Sequence, residues 1–317
     1  MQLLYQIIYQ NATVDQGRFE PISPRFTLSF LMLFAIFYFK RTFCYERLRE
    51  MELRKGEFVM IDIQQQNDHR NIEIDKVGVK GIKYPITVLD KKNKTQHTIA
   101  TINMYVNLPH HFKGTHMSRF IEILNENRFG ININNLSAIL QKMQDKLDAE
   151  SAHLEVEFPY FIEKEAPVSN EKSLMEYTCR FWGTYDKKED LCVGIDVPVT
   201  TLCPCSKEIS RFGAHNQRGI ISIKLRFKNF FWIEDIIKIV EESASSEVYA
   251  LLKREDEKYV TEQSYQNPMF VEDIVRTVAE KLYNHSNITW FCVEAENLES
   301  IHNHNAYAFI EKKSLEN

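Results

Sequence analysis

Apolar and polar side chains alternate along 98–106 and, with strict period two, along 221–227, the pattern of strands that bury one face. The apolar stretch 86–89 and the segment 98–106 form a hairpin turning at Lys91-Lys92-Asn93-Lys94. Two helices follow. The first begins after Thr115, a good N-cap, and the second carries Leu136, Ile139, Leu140, Met143 and Leu147 at helical spacing. Strands at 154–158, where apolar and acidic residues alternate, and at 176–185 end the first half. The second half repeats the order with a strand at 191–199, a polar loop and the strand at 221–227. One helix then carries Ile236, Ile237, Val240, Ala244, Val248 and Leu251, and another opens with Asn267 as cap and Pro268 in first position. Strands at 288–293 and 306–310 close the chain. The element order is ββααββ twice, which predicts an α+β fold of antiparallel sheet with helices gathered on one face. The first unit spans 60–187 and the second 188–317.

Residues 1–59 stand outside that pattern. The run 26–39 is nearly all apolar between Arg25 and Lys40-Arg41, but it falls short of the ~20 residues a spanning helix needs. No small-residue cleavage site follows it. The segment therefore reads as a disordered leader or translated extension rather than a membrane anchor. With 317 residues, 44% hydrophobic and 26% charged, the chain can bury a substantial core. A net charge of -5 excludes a general nucleic-acid binder, which needs a basic face. Cys44, Cys179, Cys192, Cys203, Cys205 and Cys292 are too scattered for a disulfide framework, so a reducing, cytoplasmic setting is expected.

Chemistry concentrates in the loop 201–219, which holds Cys203, Cys205, Glu208 and His215 beside basic residues. Cys203 and Cys205 flank Pro204, too close to pair as an unstrained disulfide. Both thiols can face one centre, with His215 arriving from the far end of the loop. A Cys-x-Cys lacks the spacing of zinc knuckles, and no second pair lies nearby to close a four-ligand structural site. On spacing alone, a metal site and two packed thiols weigh about equally.

The strings CPCSKEIS at 203–210 and GAHNQR at 213–218 resemble the signature of the type IB GTP cyclohydrolases, metal-dependent enzymes that open the purine of GTP. The likeness continues through VGVKG at 77–81 with Tyr84-Pro85, FKGTHMSRF at 112–120, Glu262-Gln263, NPMFVEDIVR at 267–276 and ESIHNHNAY at 299–307. It implies the tunnelling fold, in which tandem ββααββ units assemble into barrels of a homo-oligomer, here a homotetramer, with active sites at subunit interfaces. It also implies hydrolysis of GTP to 7,8-dihydroneopterin 3′-triphosphate and formate, the first step of tetrahydrofolate biosynthesis. Two alternatives stay open. One is the archaeal-type relative that releases a cyclic phosphate, and the other is a non-catalytic scaffold that binds metal and pterins.

The same resemblance assigns roles. Cys203, His215, Glu257 and His302 match the metal ligands of the family. The metal this implies is zinc, which Mn or Fe could replace because the ligand set mixes soft and hard donors. Without the resemblance, Glu257 lies in a charge run, Lys253-Arg-Glu-Asp-Glu-Lys258, that reads as a solvated helix end. His302 and His304 are two apart and share a face if extended, so either reaches a metal while the other handles protons. His302 is the expected ligand, and His304 either supports the ligands from behind or acts as an acid/base group. Cys205 is an alternate ligand or a catalytic thiol. Glu272 matches the glutamate that accepts the N1–H and 2-amino donors of guanine, although a carboxylate in a first helical turn also serves the helix dipole. Lys113, His116, Arg119 and Arg218 are triphosphate candidates, and each reads equally as a surface charge.

Overall fold

The computed structural model describes residues 64, 66–127 and 130–312. The leader and its apolar run at 26–39 lie outside the described residues. Among the described residues, fifteen elements follow one another. The first half contains β1 (Ile74–Asp90), β2 (Lys94–Leu108), α1 (Met117–Asn127), α2 (Leu136–Leu147), β3 (Ser151–Glu165) and β4 (Lys172–Asp186). The second contains β5 (Lys188–Leu202), α3 (Pro204–Ile209), β6 (Asn216–Phe227), α4 (Ile233–Glu241), β7 (Ser246–Glu247), α5 (Arg254–Gln266), α6 (Val271–Tyr283), β8 (Ile288–Asn297) and β9 (Ala306–Glu311).

All strands join one antiparallel sheet in the order β1-β2-β3-β4-β5-β6-β8-β9, with β7 added to β5. Lys187, at φ 61°, turns β4 tightly into β5, and the two strands pair from Thr178–Asp196 to Asp186–Lys188. The sheet thus continues unbroken from one half into the other.

The alternation seen in the sequence becomes a row of opposed side chains. Ile102, Val156, Phe181, Val193, Leu225 and Phe291 face one another strand by strand, and all six are buried. Directly opposed residues of antiparallel strands share a face, so one surface of the sheet is apolar from β2 to β8. Its core extends to Phe120, Ile123 and Leu124 of α1, Leu136, Ile139, Leu140 and Met143 of α2, Ile236, Ile237 and Val240 of α4, and Ile274, Val275 and Val278 of α6. The helices cover that face. The neighbouring row, Glu157, Arg180, Gly194, Lys224, Cys292 and Glu311, lies on the other face. There Arg180 joins Glu157 at 2.6 Å and Asp196 at 2.7 Å.

Two sequence expectations for the second half are corrected. The helix read through Leu251 ends at Glu241, and Ser246–Glu247 instead pairs with β5 at Val199 and Thr200. Serine hydroxyls compete with helical backbone bonds. Ser243 Oγ donates to Ile239 O at 2.7 Å, and Ser245 Oγ accepts from Leu202 N–H at 3.1 Å. Asn267 does not open a helix but closes α5, donating its N–H to Gln263 O. Pro268 follows as it commonly does after a C-cap. The last helix starts at Val271, where Asp273 accepts from Phe270 N–H at 3.1 Å. The second half thus holds four helices where two were expected.

Polar contacts tie the strand ends of the first half to helices of the second. Glu234 on α4 accepts from Lys91 N–H at 2.7 Å and Tyr160 O–H at 2.6 Å. Lys164 reaches Glu241 at 2.7 Å and Glu247 at 2.6 Å, and Tyr177 O–H donates to Glu241 at 2.7 Å. Asp256 on α5 is fully buried. It accepts from Val168 N–H, Ser169 N–H and Lys253 N–H, each at 2.8 Å, and from Ser169 O–H at 2.6 Å.

The Ser169 hydroxyl and the three amides hold the Asp256 carboxyl well below the usual carboxylate range, against the opposing effect of burial. A depressed folded-state pKa contributes stability above the unfolded value, about 3.9, that is lost as pH falls. Asp256→Asn is therefore expected to melt below wild type at neutral pH, with the gap narrowing below about pH 3.9. Thermal denaturation across pH checks this, and a gap independent of pH would remove the carboxylate charge from the account.

Candidate functional site

The polar loop connects two adjacent antiparallel strands, so their ladder sets its geometry. β5 and β6 pair as far as Leu202–Asn216, and Cys203 N–H extends the pairing by donating to His215 O at 3.1 Å. Cys203 is the N-cap of α3, its Sγ accepting from Ser206 N–H at 3.4 Å, with Pro204 in the first turn. Ser206 Oγ donates to Cys203 O at 3.1 Å and accepts from His215 N–H at 3.2 Å. One hydroxyl therefore clasps the two ends of the loop. Gly213, at φ 128°, supplies a backbone conformation that a side chain would strain.

The helical layer holds the base of this clasp. Leu202, the residue before Cys203, donates its N–H to Ser245 Oγ and accepts Met269 N–H at 3.0 Å. Lys207 Nζ donates to Tyr265 O at 2.5 Å and lies 4.5 Å from the centre of the Tyr265 ring. The loop is thus bonded to the connection between α5 and α6.

Three of the expected groups share one rim. The His215 ring lies 6.4 Å from that of His302, and His302 stacks on His304 at 5.2 Å. Cys203 is joined to His215 through the clasp. Cys205, on the first turn of α3, is exposed, as are His302, His304 and Arg218. Cys203 is half-buried, suited to a ligand with a face open to a reactant.

The structure adds two residues to which sequence reading gave no role. Gln217 Oε1 is 3.0 Å from His215 Nδ1, and Glu299 Oε2 is 3.9 Å from the same nitrogen. Both lie inside quoted motifs, and Gln217 also falls two residues after His215, where strand period two places it on the same side.

The other expected residues come from other elements. Glu257 is exposed on the first turn of α5, and among the described residues no hydrogen bond, ion pair or ring contact joins it to Cys203, His215 or His302. Among the described residues no group of three or more His, Cys, Asp or Glu side chains converges closely enough to hold a metal ion. The thiol and imidazole donors of the rim nevertheless fit a divalent metal of borderline softness. Glu272 is exposed on the first turn of α6, the helix whose approach is tied to Leu202 through Met269. Lys113 is exposed between β2 and α1. Arg119 donates to Lys146 O at 2.8 Å, at the end of α2. His116 lies between them, accepting Arg119 N–H on its carbonyl at 3.1 Å.

Residues 60–308 match the sequence profile of the family described as type I GTP cyclohydrolase folE2. GTP cyclohydrolase FolE2 of Syntrophus aciditrophicus (strain SB) is 69% identical over 255 residues, covering 80% of this chain and 100% of its own length. GTP cyclohydrolase FolE2 of Geotalea uraniireducens (strain Rf4) is 62% identical over 257 residues, covering 81% of this chain and 95% of its own. A highly active mutant of the urate oxidase of Bacillus sp. TB-90 aligns with a TM-score of 0.46 and 10% identity, over 76% of this chain and 100% of that one. By the matched profile and these identities, the chain belongs to the type I GTP cyclohydrolase FolE2 family.

Proposed function

We propose that the chain opens the guanine ring of GTP with water, giving 7,8-dihydroneopterin 3′-triphosphate and formate, the first step of tetrahydrofolate biosynthesis. The observation that carries this reading is the clasped Cys203–His215 loop, lying within the residues that match the family. Cys203, His215 and His302, with Glu257, would hold zinc, or Mn or Fe in its place. When bound, such a metal lowers the pKa of water from 15.7 toward about 7 and makes it nucleophilic at neutral pH.

The remaining work falls to side chains. Glu272 accepts the adjacent N1–H and 2-amino donors of guanine, which orients the ring and selects it over adenine. His304, stacked on His302, and Cys205 on the exposed first turn of α3 hold and move protons at the ring nitrogens being cleaved. Arg218, exposed at the start of β6, together with Lys113, His116 and Arg119, neutralises the triphosphate.

Surface character supports an oligomer, and the proposed form is a homotetramer of tunnelling architecture in which a second copy completes the site. Phe212 is 98% exposed and Ile209 85% exposed within the loop, and Ile301, beside His302, is 64% exposed. Apolar side chains beside a catalytic rim mark a surface that another protein covers. Among the described residues, the edge strands β1 and β9 also leave one ladder side open each. A cytoplasmic location is the matching proposal. Among the described residues no helix is long and apolar enough to cross a membrane.

Formate release from GTP and fluorescence of the oxidised pterin are expected with metal-loaded protein. Both should be abolished by chelation, by Cys203→Ala or by His215→Ala, with the oligomer intact in size-exclusion chromatography. Turnover by metal-free protein would contradict the reading.

Glu272→Gln leaves at least one guanine donor without an acceptor, which costs roughly 1–3 kcal/mol. GTP affinity measured by calorimetry is expected to fall about 5- to 150-fold, with metal content unchanged. A small loss of thermal stability with affinity intact would make Glu272 a helix-dipole residue only.

A further inference from the structure

The two nitrogens of the His215 ring have unlike surroundings. Nδ1 has Gln217 Oε1 at 3.0 Å and Glu299 Oε2 at 3.9 Å. The other nitrogen makes no hydrogen bond among the described residues. An amide oxygen only accepts, and a nearby carboxylate repels a lone pair while attracting an N–H. Both neighbours therefore favour the proton of the neutral ring on Nδ1 and leave the lone pair on Nε2.

Burial restricts the side chain of Gln217. It is buried at the start of β6, opposite Thr201, which is fully buried. The His215 backbone is fixed independently, through Ser206 Oγ on its N–H and Cys203 N–H on its carbonyl. With main chain and Nδ1 both anchored, the ring keeps one nitrogen for chemistry.

We infer that Gln217 is a positioning residue which, with the charge of Glu299 beside it, holds His215 in the Nδ1–H form and presents Nε2 to a metal ion. The inference rests on the reading that His215 is a ligand. A second nitrogen that donates to a fixed acceptor fixes the orientation of a ligating imidazole and raises its basicity, and loss of such a partner typically weakens metal binding 10- to 100-fold.

The test is titration of the metal-free, full-length protein with Co2+, following both the dissociation constant and the visible d–d band, in wild type, His215→Ala, Gln217→Leu, Gln217→Met and Gln217→Glu. The two apolar replacements remove the acceptor in different shapes, so one remains informative if the other misfolds. Gln217→Glu keeps an acceptor. His215→Ala is expected to lose the band, Gln217→Leu and Gln217→Met to bind about 10-fold more weakly with a shifted band, and Gln217→Glu to bind at least as tightly as wild type. Melting of the metal-free variants separates packing from positioning, because a packing role lowers the melting temperature without moving the band. Wild-type affinity and spectrum in both apolar variants, with binding lost in His215→Ala, would overturn the inference alone. Wild-type binding in His215→Ala would overturn the ligand reading, and the inference with it.

Discussion

The single apolar face of the sheet is the constraint on which everything else depends. A one-residue slip in any strand would turn its buried residues toward the polar face. The opposed row from Ile102 through Phe181 and Leu225 to Phe291 therefore locks the register of six strands together. Register then decides where the loop after Leu202 emerges and which residues of β6 face it. Cys203 meets His215 because Leu202 meets Asn216, and Leu202 meets Asn216 because Val193 and Ile195 oppose Leu225 and Ile223 in the core.

On that frame the chemistry is assembled from one side. The β5–β6 connection supplies Cys203, Cys205 and His215, and the β8–β9 connection supplies His302 and His304. These connections are neighbours because β6 and β8 pair across Gly219–Asn297. The sequence separation of Cys203 from His302 disappears at the sheet end. The α4–β7 connection, helix α5 and the segment between α5 and α6 brace the same end through Leu202, Lys207 and Ala244, the last accepting from Asn267 Nδ2 at 2.9 Å. The first half contributes bracing at longer range, through Glu234, Glu241 and Asp256, whose partners lie on β1–β4 and their connections.

Period-two alternation at 221–227 and the stripe from Leu136 to Leu147 were legible because burial alone dictates them. The strand cores at 154–158 and 176–185 were legible too, although β3 and β4 run longer at both ends. Their outermost residues, such as Lys172 opposite Glu165, are polar and carry no apolar signal. The region from 241 to 270 misled for a physical reason. Apolar spacing suggested a continuous helix, but hydroxyls at 243 and 245 take backbone partners and turn the chain, and Asn267 before Pro268 fits the end of a helix as well as its start. The composition of the Cys loop was legible from its motifs, and the clasp through Ser206 was not, because a serine announces no partner. Gln217 and Glu299 were similarly silent, acquiring meaning only when the fold set them beside one nitrogen of His215.

The central claim is that this rim holds a metal ion through a thiolate and imidazoles. X-ray absorption at the metal edge of the zinc-loaded protein tests it most directly. The account predicts one sulfur at about 2.3 Å and nitrogen neighbours at about 2.0–2.1 Å, with the sulfur shell lost in Cys203→Ala. A shell of nitrogen and oxygen alone in the wild-type protein, or one unchanged by Cys203→Ala, would contradict it.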